Sequence, residues 1–190
     1  FQIMTIKKLL IANRGEIASR IILSAHDMGI SCVAIYTEAD ASSPYVRESD
    51  QAYKLTDSYL NAKEIIEIAK NSGADAVHPG YGFLSENASF ANQVKKAGIK
   101  WVGPSANAIK KMGDKLTAKE LAEKANVPTL PMTSDPKKAD TIGYPILVKA
   151  AAGGGGKGMR IVKKAKDLKE AIESAEREAE GGFGDKRVFL

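Results

Sequence analysis

A chain of 190 residues, 44% hydrophobic and 27% charged, has room for one or two packed domains and the make-up of an ordinary globular protein. Its net charge of +5 is spread over lysines interleaved with glutamates, so no basic block marks a nucleic-acid surface. No apolar run nears the ~18 residues that cross a bilayer, so no membrane partner is expected, and the single Cys32 excludes an internal disulfide and suits a reducing, cytoplasmic compartment.

Residues 6–12 are an apolar run, and Asn13-Arg14-Gly15 reads as a tight turn after it. Ile17, Ile21, Ala25 and Met28 recur at helical spacing over residues 16–28, and Gly29 stops that helix. Residues 31–36 are a second apolar strand, which makes the opening a β-α-β unit with a parallel pair and right-handed crossover. Residues 37–49 read as a polar loop and 51–55 as a short strand. A helix over 61–72 carries Ile65, Ile68 and Ala69 on one face. Residues 75–78 form a strand that ends in His78-Pro79-Gly80-Tyr81-Gly82. Ser85 is placed as the cap of a helix over 86–97, Gly98 as its stop, and 100–102 as a strand. This alternation predicts an α/β fold with a doubly wound parallel sheet.

Gly103-Pro104 marks a boundary. A short helix ends at Met112-Gly113, and Asp114 caps a second one over 115–125. Three prolines make residues 127–140 a loop with one strand at most. Strands at 145–150 and 160–163 flank a glycine run, a helix covers 167–180, and Gly181-Gly182-Phe183-Gly184 ends it. The domains are therefore placed at 4–113 (N-terminal α/β domain), 114–130 (connecting helix and loop) and 131–190 (a partial second domain). Met4 reads as the natural start. A strand at 187–190 with no closing turn leads us to expect a piece of a longer protein.

The residues with the strongest chemical signal are Lys149, Gly153, Gly154, Gly155, Gly156, Lys157 and Gly158. Glycine lets backbone N–H groups approach a ligand closely, and flanking ammonium groups suit a polyphosphate. A Walker A loop does not fit: Gly158 stands where a hydroxyl is needed, Ala151 where the first glycine is, and a strand follows rather than a helix. The pattern G-x-G-x-x-G is met by Gly153, Gly155 and Gly158, but it too needs a following helix. A strand–loop–strand flap over phosphates fits the local signals; an exposed hairpin without a ligand remains the plain alternative. Lys149, at the end of an apolar strand, either holds an anion or extends to solvent. Lys115 lies in the first turn of a helix, where a cation opposes the helix dipole. Asn13 to Glu16 and Glu38 stand where a dinucleotide fold keeps its loop and ribose acid, but one glycine is too few, so Glu38 reads as a surface residue. His78, Gly80, Tyr81 and Gly82 end a strand at the carboxyl edge of the sheet, where open α/β folds place ligands. No His, Cys or carboxylate set reads as a metal site, and no histidine has a nucleophile beside it. His26 reads as a surface residue.

Four blocks together resemble biotin carboxylase: residues 8–18, residues 78–87, Met112-Gly113-Asp114-Lys115, and Lys149 with residues 153–159. The resemblance implies an N-terminal doubly wound domain followed by part of an ATP-grasp lid. It implies a ligase that uses ATP and magnesium to activate bicarbonate as carboxyphosphate and carboxylates biotin on a carrier protein. By motif position Lys115 and Lys149 would bind ATP phosphates, Gly155 and Gly156 would lie in the closing flap, and Gly153, Gly154, Lys157 and Gly158 in the same loop. His78, Gly80, Tyr81 and Gly82 would face the substrate cleft, and residues 13–17 would lie near a homodimer interface. The implied partners are a biotin carboxyl carrier and a carboxyltransferase. The family's magnesium ligands and catalytic groups lie beyond the position of Leu190, so no catalytic residue is assigned, and turnover by this chain alone is not expected. The alternatives are a non-catalytic nucleotide-binding or assembly module and another ATP-grasp ligase; the first block argues against the latter.

Overall fold

Five short apolar runs become one parallel sheet, β1 (Lys8–Ile11), β2 (Ser31–Tyr36), β3 (Gln51–Lys54), β4 (Ala76–His78) and β5 (Lys100–Trp101), in the order β3-β2-β1-β4-β5. The computed structural model describes residues 5–151 and 159–190. Leu9 pairs with Cys32 on one side and Ala76 on the other, so β1 is the central strand. Its runs are continuously apolar because both faces are covered. Helices α1 (Gly15–Asp27) and α2 (Pro44–Glu48) cover one face, and α3 (Ala62–Asn71) and α4 (Ala88–Lys96) cover the other. Side chains alternate accordingly. Leu9, Ile11, Cys32 and Ala34 join Ala18, Ile22, Ala25 and Tyr45, whereas Leu10, Val33, Ile35 and Val77 join Ile65, Ala69, Phe90 and Val94. Each fully buried side chain of this size is worth about 1.5–3 kcal/mol. This is the doubly wound architecture that the alternation of elements predicts.

Three local expectations are corrected. The stretch expected as a polar loop after β2 holds a 3-10 turn at Glu38–Asp40 and the short helix α2, where Pro44 takes the first helical position and Tyr45 is fully buried. Helix α4 starts at Ala88 rather than 86, because Asn87, not Ser85, accepts the capping bond from Phe90 N. On α1 the buried face is Ala18, Ile22 and Ala25; Met28 lies past the helix end and is 75% exposed.

The chain divides into two compact units, Phe1–Lys110 and Lys111–Leu190. Helix α5 (Ala106–Gly113) runs across that division. In the second unit α6 (Lys115–Lys124) is followed by a 3-10 turn at Pro136–Lys138, α7 (Ala139–Ile142) and β6 (Ile146–Ala150). Then come β7 (Arg160–Val162), α8 (Leu168–Phe183) and β8 (Val188–Phe189). Strand β6 is central and pairs antiparallel with both neighbours. One face of this sheet buries Ile146, Val148 and Val162 against Leu168, Ala175 and Ala139. No strand forms between residues 127 and 140, although Thr133 exchanges both backbone hydrogen bonds with Leu190. Helix α8 runs through Gly181 and Gly182 and stops at Gly184, whose φ of +67° supplies the left-handed cap. The break falls at Gly184, the last residue of the stretch expected to end the helix; Gly181 and Gly182 lower helix propensity but do not forbid helix.

Candidate functional site

In the second unit the alternation along β6 sends Ile146, Val148 and Ala150 into the core and leaves Leu147 and Lys149 on the other face. Lys149 Nζ lies 5.7 Å from the centroid of the Phe189 ring on the neighbouring strand. Lys115 is the first residue of α6, and its Nζ donates to Ala150 O at 3.3 Å. The two lysines, 34 positions apart in sequence, are thereby brought to one end of β6. Burial, and next the charge of Lys149, lower the Lys115 ammonium from its ordinary value. An ammonium whose charge is disfavoured by burial and by a second cation marks a site that an anion relieves. Among the described residues the ion pairs of this unit join Arg160 to Glu178 and Arg187 to Asp114 and Asp185; none takes in Lys149. Gly153, Gly154, Gly155, Gly156, Lys157 and Gly158 lie outside the described residues; the strands on either side pair antiparallel, Leu147 with Ile161 and Val148 with Arg160.

In the first unit His78 ends β4, and Pro79 to Gly82 turn away from it. Asn13, fully buried at the end of β1, holds this turn: its Nδ2 donates to Pro79 O at 2.7 Å and to Tyr81 O at 2.9 Å. Gly80 has a φ of +63°, and a Cβ there would meet Asn13 Nδ2 at 2.6 Å and Ile17 Cγ2 at 2.8 Å. Glycine is required at that position by both conformation and space. Gly82, at φ +68°, has open space where its Cβ would stand, and Tyr81 is 67% exposed. His78 Nδ1 accepts from Gly80 N at 3.0 Å, which leaves the proton of the neutral ring on Nε2; burial lowers its pKa and favours that neutral form. The ring lines a cavity of about 420 Å³ with Leu9, Ile21, Ala25 and Val102.

The sequence reading missed a network beside this turn. Arg14 donates from Nε to Asp40 Oδ2 at 2.6 Å and from Nη2 to Oδ1 at 2.5 Å, and Tyr59 Oη donates to Oδ2 at 2.5 Å. The Arg14 fork holds the Asp40 carboxyl below its usual range. Tyr45 Oη donates to Ile35 O and meets Tyr59 Oη at 2.9 Å; burial raises its pKa. Glu38 is exposed and pairs with Lys54. His26, Cys32 and Asp50 bring their ligand-type atoms within 4.8 Å of one another, a trio the sequence did not suggest. Asp50 Oδ2, however, accepts from Cys32 N at 2.7 Å and meets His26 Nε2 at 2.9 Å, while burial pushes the thiol up to about 11. The protonated thiol and the committed carboxylate make it a hydrogen-bonded brace at the start of β2.

Residues 5–109 match the family model of the biotin carboxylase N-terminal domain. The chain belongs to that family. Residues 114–190 match a second model, the carbamoyl-phosphate synthase L chain ATP binding domain. Methylcrotonoyl-CoA carboxylase subunit alpha, mitochondrial, from Dictyostelium discoideum is 48% identical over 202 residues, which cover 100% of this chain and 29% of that one. A biotin carboxylase–beta-gamma-ATP complex from Campylobacter jejuni superposes with a TM-score of 0.94 at 44% identity, over 98% of this chain and 45% of that one. The biotin carboxylase domain dimer of Hydrogenobacter thermophilus 2-oxoglutarate carboxylase, in complex with MgADP, ADP and bicarbonate, gives 0.93 at 42% identity, over 98% and 44%. The chain thus spans less than half of each of these relatives. In this biotin carboxylase N-terminal region and the ATP-grasp portion after it, no described helix is long and apolar enough to cross a membrane.

A second feature was not legible in the sequence. Arg187 Nη2 donates to Asp114 Oδ2 at 2.9 Å and to Asp185 Oδ2 at 2.6 Å, and Nε donates to Asp185 Oδ1 at 3.1 Å. Asp114 and Arg187 stand 73 positions apart, and no local pattern pairs residues at such a separation. These contacts also decide the fit of the nucleotide and the metal. Lys115 and Lys149 are donors that suit a polyphosphate. Asp114, beside Lys115 in sequence, and Asp185 are bonded to Arg187, and the described residues of this unit offer no cluster that could hold magnesium.

Proposed function

We propose that this chain is the N-terminal domain and opening ATP-grasp portion of a biotin carboxylase, which uses ATP and bicarbonate to carboxylate biotin on a carrier protein. The observation that carries this reading is the Lys115–Lys149 pair at the end of β6, in a segment that matches an ATP binding domain model. In this reading the two lysines hold ATP phosphates by charge neutralisation and positioning. Gly153, Gly154, Gly155, Gly156, Lys157 and Gly158 form the loop over them. His78, Gly80, Tyr81 and Gly82 face the substrate, with Tyr81 as the exposed ring and Asn13 as the brace of the turn. Residues 4–113 are one domain, 114–130 a connector and 131–190 part of the lid. Magnesium is held by residues outside those described, and the carrier, a carboxyltransferase and a second copy of the enzyme are the partners. A cytoplasmic location goes with the buried, unpaired thiol of Cys32.

Bound ATP supplies the phosphoryl group that activates bicarbonate. This chain's own residues bind and orient: Lys115 and Lys149 meet the phosphates, and His78 keeps its Nδ1 as an acceptor for Gly80 N. The test is bicarbonate-dependent ADP release with free biotin, measured on the full-length protein. Lys149→Ala should reduce it by at least 100-fold, about 2.7 kcal/mol. Unchanged turnover would take Lys149 out of the phosphate site and leave the reading without its main support.

A further inference from the structure

Helix α6 carries Lys115 in its first turn, yet it buries none of its residues. Leu116, Ala118, Leu121 and Ala122 are only half-buried, so apolar packing sets in part where this helix, and with it the Lys115 ammonium, stands against β6. Polar contacts add to it. Arg187 provides them at both ends. Its carbonyl accepts from Ala151 N at 2.9 Å, and the next residue, Val188, pairs with Ala150, so its backbone is tied to the end of β6 beside Lys149. Its guanidinium reaches Asp114, the N-cap of α6. The two Asp114 oxygens divide the work: Oδ1 accepts from Thr117 N at 2.9 Å and caps the helix, and Oδ2 accepts from Arg187. Asp185 takes the other side of the guanidinium and orients it. Serving two carboxylates at once needs a planar fork with several N–H groups, which arginine has and lysine lacks.

We propose that Arg187 is a positioning residue for the anion site: through the Asp114 cap it seats α6 on the end of β6, and so presets Lys115 Nζ at the correct distance from Lys149. It need not touch the ligand. This rests on the reading of Lys115 and Lys149 as phosphate-binding groups. The arrangement lowers the ordering that binding would otherwise require, which is how a remote contact raises affinity.

The experiment is a double-mutant cycle on the full-length protein, with MgATP affinity measured by calorimetry for the wild type, Lys115→Ala, Arg187→Ala and the double variant. Arg187→Lys and Asp185→Asn are added as milder changes. Arg187→Ala should weaken MgATP about 5–10-fold in the wild-type background and less than 2-fold when Lys115 is already alanine. Arg187→Lys should recover only part of the loss, and Asp185→Asn should cost less than Arg187→Ala. Equal losses in both backgrounds would overturn the proposal, since a general weakening of the fold does not depend on Lys115. Full affinity in Arg187→Ala would overturn it as well. A wild-type affinity that neither Lys115→Ala nor Lys149→Ala changes would instead sink the phosphate-site reading on which the proposal stands.

Discussion

Two arginine clamps, one in each unit, use the same chemistry in different solvent. Arg14 grips Asp40 with a carboxylate whose side chain is only 6% exposed, and two tyrosines extend the contact inward. Arg187 grips Asp114 and Asp185 with its own side chain 55% exposed and both carboxylates partly wet. A desolvated carboxylate that loses its partners costs several kcal/mol, whereas an exposed ion pair contributes about 0–1 kcal/mol. The first clamp therefore belongs to the stability of its unit. The second can decide geometry with little effect on stability.

The largest effect that would sharpen this contrast is in the first unit. Asp40→Ala leaves the Tyr59 hydroxyl in a buried setting with one partner fewer, and should destabilise the unit by about 2–3 kcal/mol. The only tryptophan, Trp101, sits in that unit, packed edge-on to Phe90 with ring centroids 5.6 Å apart, so its fluorescence reports urea unfolding of this part alone. Arg187→Ala should leave the Trp101 transition in place. A loss below about 0.5 kcal/mol in Asp40→Ala would put the two clamps in the same class.

The next effect separates two glycines of one turn. Gly80→Ala must bear a left-handed residue and push against Asn13 and Ile17. About 1 kcal/mol of backbone strain and a similar cost for displacing the Asn13 amide give about 2 kcal/mol. Gly82→Ala meets nothing within 4 Å and should show the strain alone, about 1 kcal/mol. Equal losses, read again from Trp101, would mean that Asn13 does not brace the turn. If Gly80→Ala also impairs biotin-dependent turnover more than ATP binding, the turn is on the substrate side of the site.

How far such contrasts could be read from sequence depends on the range of the interactions. The parallel sheet was legible because β1, β2 and β4 are buried on both faces and write continuous apolar runs. Lys149 and the glycine run were legible because the signal is contiguous. Helix α2 was not, since five residues are too few to show a period. Ser85 and Asn87 are both good caps, and the choice between them was made by the turn through Gly82 and Phe83, whose positive φ values delay the helix. Both arginine clamps escaped notice. Arg14 finds Asp40 across 26 positions, and Arg187 finds Asp114 across 73. Arg14 and Asp114 lie in motif blocks but their partners Asp40 and Arg187 do not, and only the fold brings each pair together.

The smallest effect concerns acid. Asp40 titrates below its ordinary value, chiefly because Arg14 donates to it, and Asp50 does so chiefly because Cys32 N donates to it. A carboxylate with a depressed folded pKa binds fewer protons folded than unfolded. Its stabilisation is complete above the unfolded value of about 3.9 and is lost as pH falls through the folded value. The urea midpoint of the first unit, followed by Trp101, should therefore gain nothing from these groups between about pH 7 and 5 and should drop below about pH 4. Asp40→Asn removes one of the two linked protons, so its lower starting stability should fall less steeply in acid, with Asp50 supplying the slope that remains. A slope identical to that of the wild type would mean that Asp40 carries no proton linkage, and the buried clamp would then be held by the tyrosines rather than by Arg14.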